Sequence, residues 1–214
     1  MNISSVSRLI NYGFAIIPLL ILPTISRADD VLFNNSGGTT PGMAFVSSLP
    51  ANSFSTGSSA ELLDNVVLDL RATNPADAGY FNLYLGADNA TSPGAELELL
   101  ATVEDSSLTV SPALYTYSGQ SYYLDADTRY WIELVPEAST TAKFGYNNDD
   151  SGTGLASEFY SLSGNVYSDT SGPFKMEVTG TPVAAAPEPS SLLLLVSGAA
   201  SLFSFMRRRS ARIM

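Results

Sequence analysis

Between Val31 and about Gly180 the apolar side chains recur at every second residue, and that period limits what the chain can fold into more than any other feature. Val66, Leu68 and Leu70 alternate with Val67, Asp69 and Arg71; Phe81, Leu83 and Leu85 alternate with Tyr80, Asn82 and Tyr84. Tyr130, Ile132 and Leu134 alternate with Trp131, Glu133 and Val135, and Phe174, Met176 and Val178 with Lys175 and Glu177. A period of two puts one face of a strand in a core and the other toward water, whereas a helix would need a period near 3.6. Further short apolar runs fall at Val31–Phe33, Met43–Val46, Leu97–Val103, Leu108–Val110, Tyr122–Leu124, Phe144–Tyr146 and Phe159–Leu162. Clusters of Asn, Asp, Gly, Ser and Pro separate them, among them Asn34–Gly38 and Asp88–Gly94. Many short strands with frequent turn signals predict an all-β, jelly-roll-like two-sheet sandwich over residues 29–180. The only helical content expected there is a short turn near Ser59–Leu63.

Two segments carry a resemblance. The first is Gly79–Leu85, then Ser92-Pro93-Gly94, then Leu97 and Leu99, which reads as strand, Pro-Gly turn, strand; the second is Leu124–Leu134. With Ser53–Gly57 they resemble the choice-of-anchor bacterial surface domains, most nearly the type called R. The resemblance implies a surface-located β domain and names no chemistry.

Composition then removes whole classes of function. The chain contains neither Cys nor His. Ser-His-Asp and Cys-His nucleophile systems, His-ligated zinc and thiolate metal sites therefore cannot be built from it. Between Asp29 and Ala186 there are 20 Asp and Glu residues against four basic ones (Arg71, Arg129, Lys143, Lys175), a balance of −16. A nucleic-acid partner is not expected, because phosphate binding needs a basic surface. The other six basic residues flank two terminal apolar runs, which is a membrane-targeting distribution.

Met1–Ala28 has the three parts of a secretory signal peptide: Arg8, the apolar core Phe14–Leu22, and Ser26-Arg27-Ala28 with small residues at −3 and −1 before Asp29. The alternative is a permanent amino-terminal anchor, but Pro18 and Pro23 interrupt a core shorter than the roughly 20 residues of a span. The mature chain is expected to begin at Asp29, outside the cytoplasm.

At the other end, residues 181–189 form a Pro- and Ala-rich linker that closes on Pro187-Glu188-Pro189. Residues 190–206 carry no charge, and Arg207, Arg208, Arg209 and Arg212 lie in the basic tail, 207–214. As a helix the 17-residue run extends about 26 Å, just short of a hydrocarbon core of about 30 Å. It is expected to be one short transmembrane helix, its arginines held on the cytoplasmic side. The order Pro-Glu-Pro, short apolar helix, arginine cluster is similar to the PEP-CTERM sorting signal of Gram-negative bacteria that make extracellular polysaccharide. That resemblance implies recognition by exosortase, cleavage near Pro187-Glu188-Pro189, transient residence in the inner membrane, and delivery to the cell surface or matrix. An ordinary single-span anchor is the alternative.

Candidate sites inside the domain are less marked. Asn147-Asn148-Asp149-Asp150 is the densest set of oxygen ligands, followed by Asp125 and Asp127 and by Asp88 and Asn89. Ca²⁺ takes six to eight oxygens from such loops, yet none has the EF-hand spacing, so polar turns are the preferred account of each cluster and Ca²⁺ the alternative. Tyr80, Tyr84 and Trp131 share the outward phase of their strands, where exposed rings would stack on sugars and covered ones would belong to a second buried layer. No carboxylate pair is singled out for glycoside hydrolysis, and Lys143 and Lys175 lie in strand-like runs away from any nucleophile turn. The expected protein is a non-enzymatic surface or matrix component, structural or adhesive; a carbohydrate- or Ca²⁺-binding lectin-like module meeting extracellular polysaccharide is the alternative, and a small polysaccharide-active enzyme ranks third.

Overall fold

The computed structural model describes residues 29–37, 40–147 and 152–183. Thirteen strands run through them: β1 (Asp30–Asn34), β2 (Gly42–Phe45), β3 (Ala51–Ser55), β4 (Glu61–Ala72), β5 (Tyr80–Asp88), β6 (Pro93–Glu104), β7 (Ala113–Ser118), β8 (Tyr123–Leu124), β9 (Arg129–Pro136), β10 (Ala142–Tyr146), β11 (Phe159–Leu162), β12 (Asn165–Ser168) and β13 (Met176–Pro182). They form two antiparallel sheets, as the alternation predicts. In the seven-stranded sheet the order is β1-β13-β4-β10-β2, with β7 and β8 also paired to β4. Residues 65–68 of β4 pair with both β13 and β7, so those two strands flank its opposite edges. The six-stranded sheet runs β12-β11-β3-β9-β5-β6.

Every alternating set faces inward in the expected phase. Val66, Leu68, Leu70, Phe144, Met176 and Val178 from one sheet meet Phe54, Phe81, Leu83, Leu85, Ile132 and Leu134 from the other, all buried. Each such side chain contributes roughly 1.5–3 kcal/mol by leaving water, which is why the two faces stay closed. Phe144 stacks on Phe174 at 4.6 Å between ring centroids, and Phe54 on Tyr130 at 5.9 Å. Tight turns follow the local chemistry. Ser163 and Gly164 join β11 to β12 with φ of 52° and 77°, the two left-handed residues of a type I′ hairpin.

Three local expectations are corrected. Ser59–Leu63 holds no helical turn; β4 begins at Glu61 because its first residues pair with β8 and with the end of β13. Leu108–Val110 is not a strand. A 3-10 turn at Asp105–Ser107 precedes it, and the buried Asp105 carboxylate accepts hydrogen bonds from the Thr140 hydroxyl (2.6 Å), the Thr141 hydroxyl (2.9 Å) and the Thr141 amide (2.5 Å). That tie holds the chain in a turn, and Leu108 plugs the core behind it. Phe174 lies before β13 and is joined to Tyr146 by an isolated bridge.

No helix among the described residues is long and apolar enough to cross a membrane. The expected signal peptide, the span 190–206 and the basic tail lie outside them.

Candidate functional site

The outer face of the six-stranded sheet carries the densest polar chemistry in the domain, arranged in rows across paired strands. One row runs Ser161, Ala51, Glu133, Tyr84 across β11, β3, β9 and β5. The next runs Ser53, Trp131, Gly86, and the third contains Ser55 beside Arg129. These positions are the polar phase of strands whose other phase fills the core, so the core register sets their spacing.

The second and third rows form a closed network. Glu158, 2% exposed, accepts hydrogen bonds from the hydroxyls of Ser53 and Ser55 and from Arg129 Nε at 3.2 Å. Arg129 also donates to the Ser157 carbonyl at 2.8 Å, lies 3.7 Å from Asp88, and covers the Phe159 ring at 5.0 Å. Asp88 accepts the Trp131 indole N–H at 2.9 Å. Trp131 is therefore in the outward phase but wholly buried, and Tyr80 and Tyr84 are half-buried. The sheet offers no open platform of these three rings; Trp131 belongs to a second buried layer held by its polar tip.

The first row opens into a groove of about 270 Å³, walled by Leu49-Pro50, Ser92-Pro93 and Val166, with Glu133 and Ser161 among its lining residues. Glu133 leans over Gly86, where a Cβ would come within 1.7 Å of its Oε1; any larger residue at 86 would displace the carboxyl. That oxygen is buried without a hydrogen-bond partner. Burial, with the negative charge of Glu96 adding to it, pushes the Glu133 carboxyl up to about 7. Beyond the network, Asp169 is fully buried, with Oδ2 accepting from the Asn52 amide at 2.8 Å and Oδ1 unpartnered. Burial, and to a lesser extent the charge of Glu158, raises it to about 7 as well.

These two carboxyls set a pH dependence. Their folded values lie above the ordinary carboxylate range, so between about pH 4 and 7 the folded state binds more protons than the unfolded one, and stability falls as pH rises through that window. The domain is expected to melt lower at pH 8 than at pH 5, with Asp169→Asn and Glu133→Gln each flattening the slope. Glu133 is half-exposed, so its share is only about 1 kcal/mol. Thermal melts across pH read this directly; identical slopes in wild type and both variants would refute it.

The sequence candidates are scattered. Asn147 is buried and spends its amide N–H groups on the Asn35 and Gly37 carbonyls at 3.2 and 2.9 Å. Asp125 and Asp127 lie exposed in the turn before β9, next to Thr56 and Gly57. Asp88 serves Trp131 and Arg129, and Asn89 closes the β5–β6 turn by bonding Ser92. No group of three or more acidic residues able to hold a metal ion occurs among the described residues. Asp149, Asp150, Ser26, Ala28, Pro187, Glu188, Pro189 and Arg207–Arg209 lie outside them; Asp29 is described and accepts a hydrogen bond from Thr181 at 3.1 Å.

Residues 185–210 match the PEP-CTERM protein-sorting motif. The chain carries that signal, which exosortase recognises and which directs export and membrane-associated sorting toward the cell surface. No curated protein matches the sequence. Among solved structures, the clostridial cysteine protease Cwp84 after propeptide cleavage is similar at 15% identity and a TM-score of 0.50, over 72% of this chain and 40% of that one. A structure of the cysteine protease and lectin-like domains of Cwp84, a surface layer associated protein of Clostridium difficile, gives 14% identity and a TM-score of 0.45 over 65% and 33%. The chain spans about two fifths of the first of these chains and a third of the second, and at such identity the likeness is one of fold.

Proposed function

We propose that this is an exported bacterial surface or extracellular-matrix protein with a structural or adhesive role and no catalytic activity, delivered by exosortase through its carboxyl-terminal signal. One observation carries the reading. The sorting motif begins at residue 185, just beyond the last backbone tie among the described residues, Val183 N–H to the Ala60 carbonyl at 2.9 Å. On this reading the signal follows the described sandwich in sequence and is removed from its end. The exposed ones among the domain's 20 carboxylates favour solubility outside the cell, and neither Cys nor His is present to serve as nucleophile or base.

A second reading, a carbohydrate-binding module of the same matrix, is favoured by the Glu133 groove. Glu133, Ser92 and Ser161 line one cleft with apolar walls, a combination that suits hydroxyl groups on a ring with an apolar face. The two readings separate on one strain set. Protease shaving of intact cells should remove the domain, and deleting the protein should weaken attachment or aggregation, restored by the full chain. Protection of the domain from external protease would sink the proposal. If Glu133→Ala leaves attachment intact, the structural role stands; if it abolishes attachment and binding on a glycan array together, the groove is the adhesive site.

A further inference from the structure

The opposite face of the sandwich has a charge arrangement that runs against the rest of the molecule. Lys143 on β10 is the direct cross-strand partner of Arg71 on β4, and Phe45 on β2 is the partner of Lys143 on its other side. Their inward neighbours Leu70, Ala72, Ala142 and Phe144 are all buried, so Phe45, Lys143 and Arg71 form one straight outward row. Adjacent members are one strand spacing, about 4.8 Å, apart. Phe45 is 45% exposed, and the Lys143 ammonium lies 3.9 Å from its ring centroid.

Like charges set directly opposite on a sheet repel. A domain with 20 carboxylates has ample means to neutralise such a pair, and among the described residues it does not. The ion pairs there are Arg129 with Asp88 and Glu158, and Lys175 with Asp69. Arg71 Nε is buried and lacks a hydrogen-bond acceptor. The third cation on this face is already committed: Lys175 pairs with Asp69 and donates to the Thr40 hydroxyl at 3.2 Å, and Thr40 in turn donates to Asp69. Two of the four basic side chains of the domain are thus left side by side, held by the sheet, with donors and no acceptor.

We propose that Arg71 and Lys143 bind a carboxylate, and that its bearer is an acidic sugar within an otherwise uncharged glycan. The guanidinium fork and the ammonium supply charge-assisted donors to one carboxylate, while the exposed part of the Phe45 ring takes the apolar face of a sugar. Lys175 is spent on Asp69, so among the described residues this face offers no third free cation to a second anion placed close to the first. A closely spaced polyanion, whether an acidic peptide or a nucleic-acid backbone, is disfavoured by that and by the −16 balance of the domain. The proposal takes from the surface reading only the setting in which a glycan is met. Binding by the purified protein tests the site, whereas protease shaving tests that reading, so either can fail alone.

Calorimetric titration of the purified protein should show binding of hyaluronan tetrasaccharide, in which a uronate alternates with a neutral sugar, and none of cellotetraose. Arg71→Gln and Lys143→Gln should each weaken it about tenfold or more, the loss expected for one charge-assisted bond. Relief of the like-charge pair should leave the melting temperature of both variants unchanged or raised. Equal binding by the double variant, binding of neither sugar, or a clear fall in melting temperature in both variants would overturn the proposal. So would tighter binding of a polyglutamate peptide, which would make the partner an acidic protein.

Discussion

Arg129→Met will cost the domain about 3–5 kcal/mol of unfolding free energy at neutral pH, the range for stripping the partner from a buried charge. Glu158 is 2% exposed, and its two oxygens are shared among the Ser53 hydroxyl, the Ser55 hydroxyl and Arg129 Nε. Two neutral hydroxyls solvate a carboxylate but do not cancel its charge, so removing the guanidinium leaves that charge beneath the sheet surface. The same change orphans the Ser157 carbonyl and takes the cation from the face of the Phe159 ring. Lysine should recover only part of the loss, because it cannot bond the Glu158 side and the Ser157 side at once with a rigid fork. The double variant Arg129→Met/Glu158→Gln should be more stable than Arg129→Met alone, since it deletes the unpaired charge itself. Urea unfolding of wild type, Arg129→Met, Glu158→Gln and the double variant closes the cycle; a cost of Arg129→Met below about 1 kcal/mol, the worth of an exposed pair, would show the network to be ornamental.

That network also shows what can be read in advance from a sequence of this kind. The inward phases of β4, β5, β9 and β13 are visible because their apolar residues alternate, and a one-residue slip would expose a whole face. β3 is not visible. Its sequence, Ala51-Asn52-Ser53-Phe54-Ser55, has three polar residues in five and no apolar alternation, yet its first four residues are buried. Asn52 is tolerated there because its amide serves Asp169 and its carbonyl accepts from the Phe174 N–H at 2.9 Å, and Ser53 because it serves Glu158. Those partners lie more than 100 residues away, so nothing local announces them. β12 hides for the opposite reason: all four of its residues are exposed, and it has no apolar phase.

Glu133 is one acidic residue among 20 in the domain. What marks it is the absence of a side chain at Gly86 and the short Ala51 beside it, and both come from pairings between distant strands. The Arg71–Lys143 pair is hidden in the same way, since only the register of β10 on β4 makes them neighbours. The sorting signal is the reverse case. Its residues act in linear order on a short stretch, so its chemistry is legible without a fold.

The protein recovered from the cell exterior will end upstream of Ser190, and in cells lacking exosortase it will keep its tail and stay with the membrane. The energetics of the tail favour passage over permanence. Leu192–Val196, Leu202, Phe203 and Phe205 contribute roughly −0.3 to −0.6 kcal/mol each on the insertion scale, about −2 to −5 kcal/mol in sum, and Ser197, Gly198, Ser201 and Ser204 offset some of it. On the proposed reading, Arg207–Arg209 add a charge barrier to translocation that would keep Pro187-Glu188-Pro189 near the outer surface of the membrane while residues 190–206 are engaged. Replacing the three arginines with glutamine should therefore abolish processing rather than slow it, because the motif is no longer presented at a fixed depth. The sandwich should be indifferent to all of this: among the described residues its last backbone tie is at Val183, and the released domain is expected to melt at the same temperature as the uncleaved one. Intact mass of the exported protein from wild-type, exosortase-deleted and arginine-substituted cells decides the matter. Wild-type extracellular protein that still carries residues 190–214 would mean that the segment is an anchor and not an address.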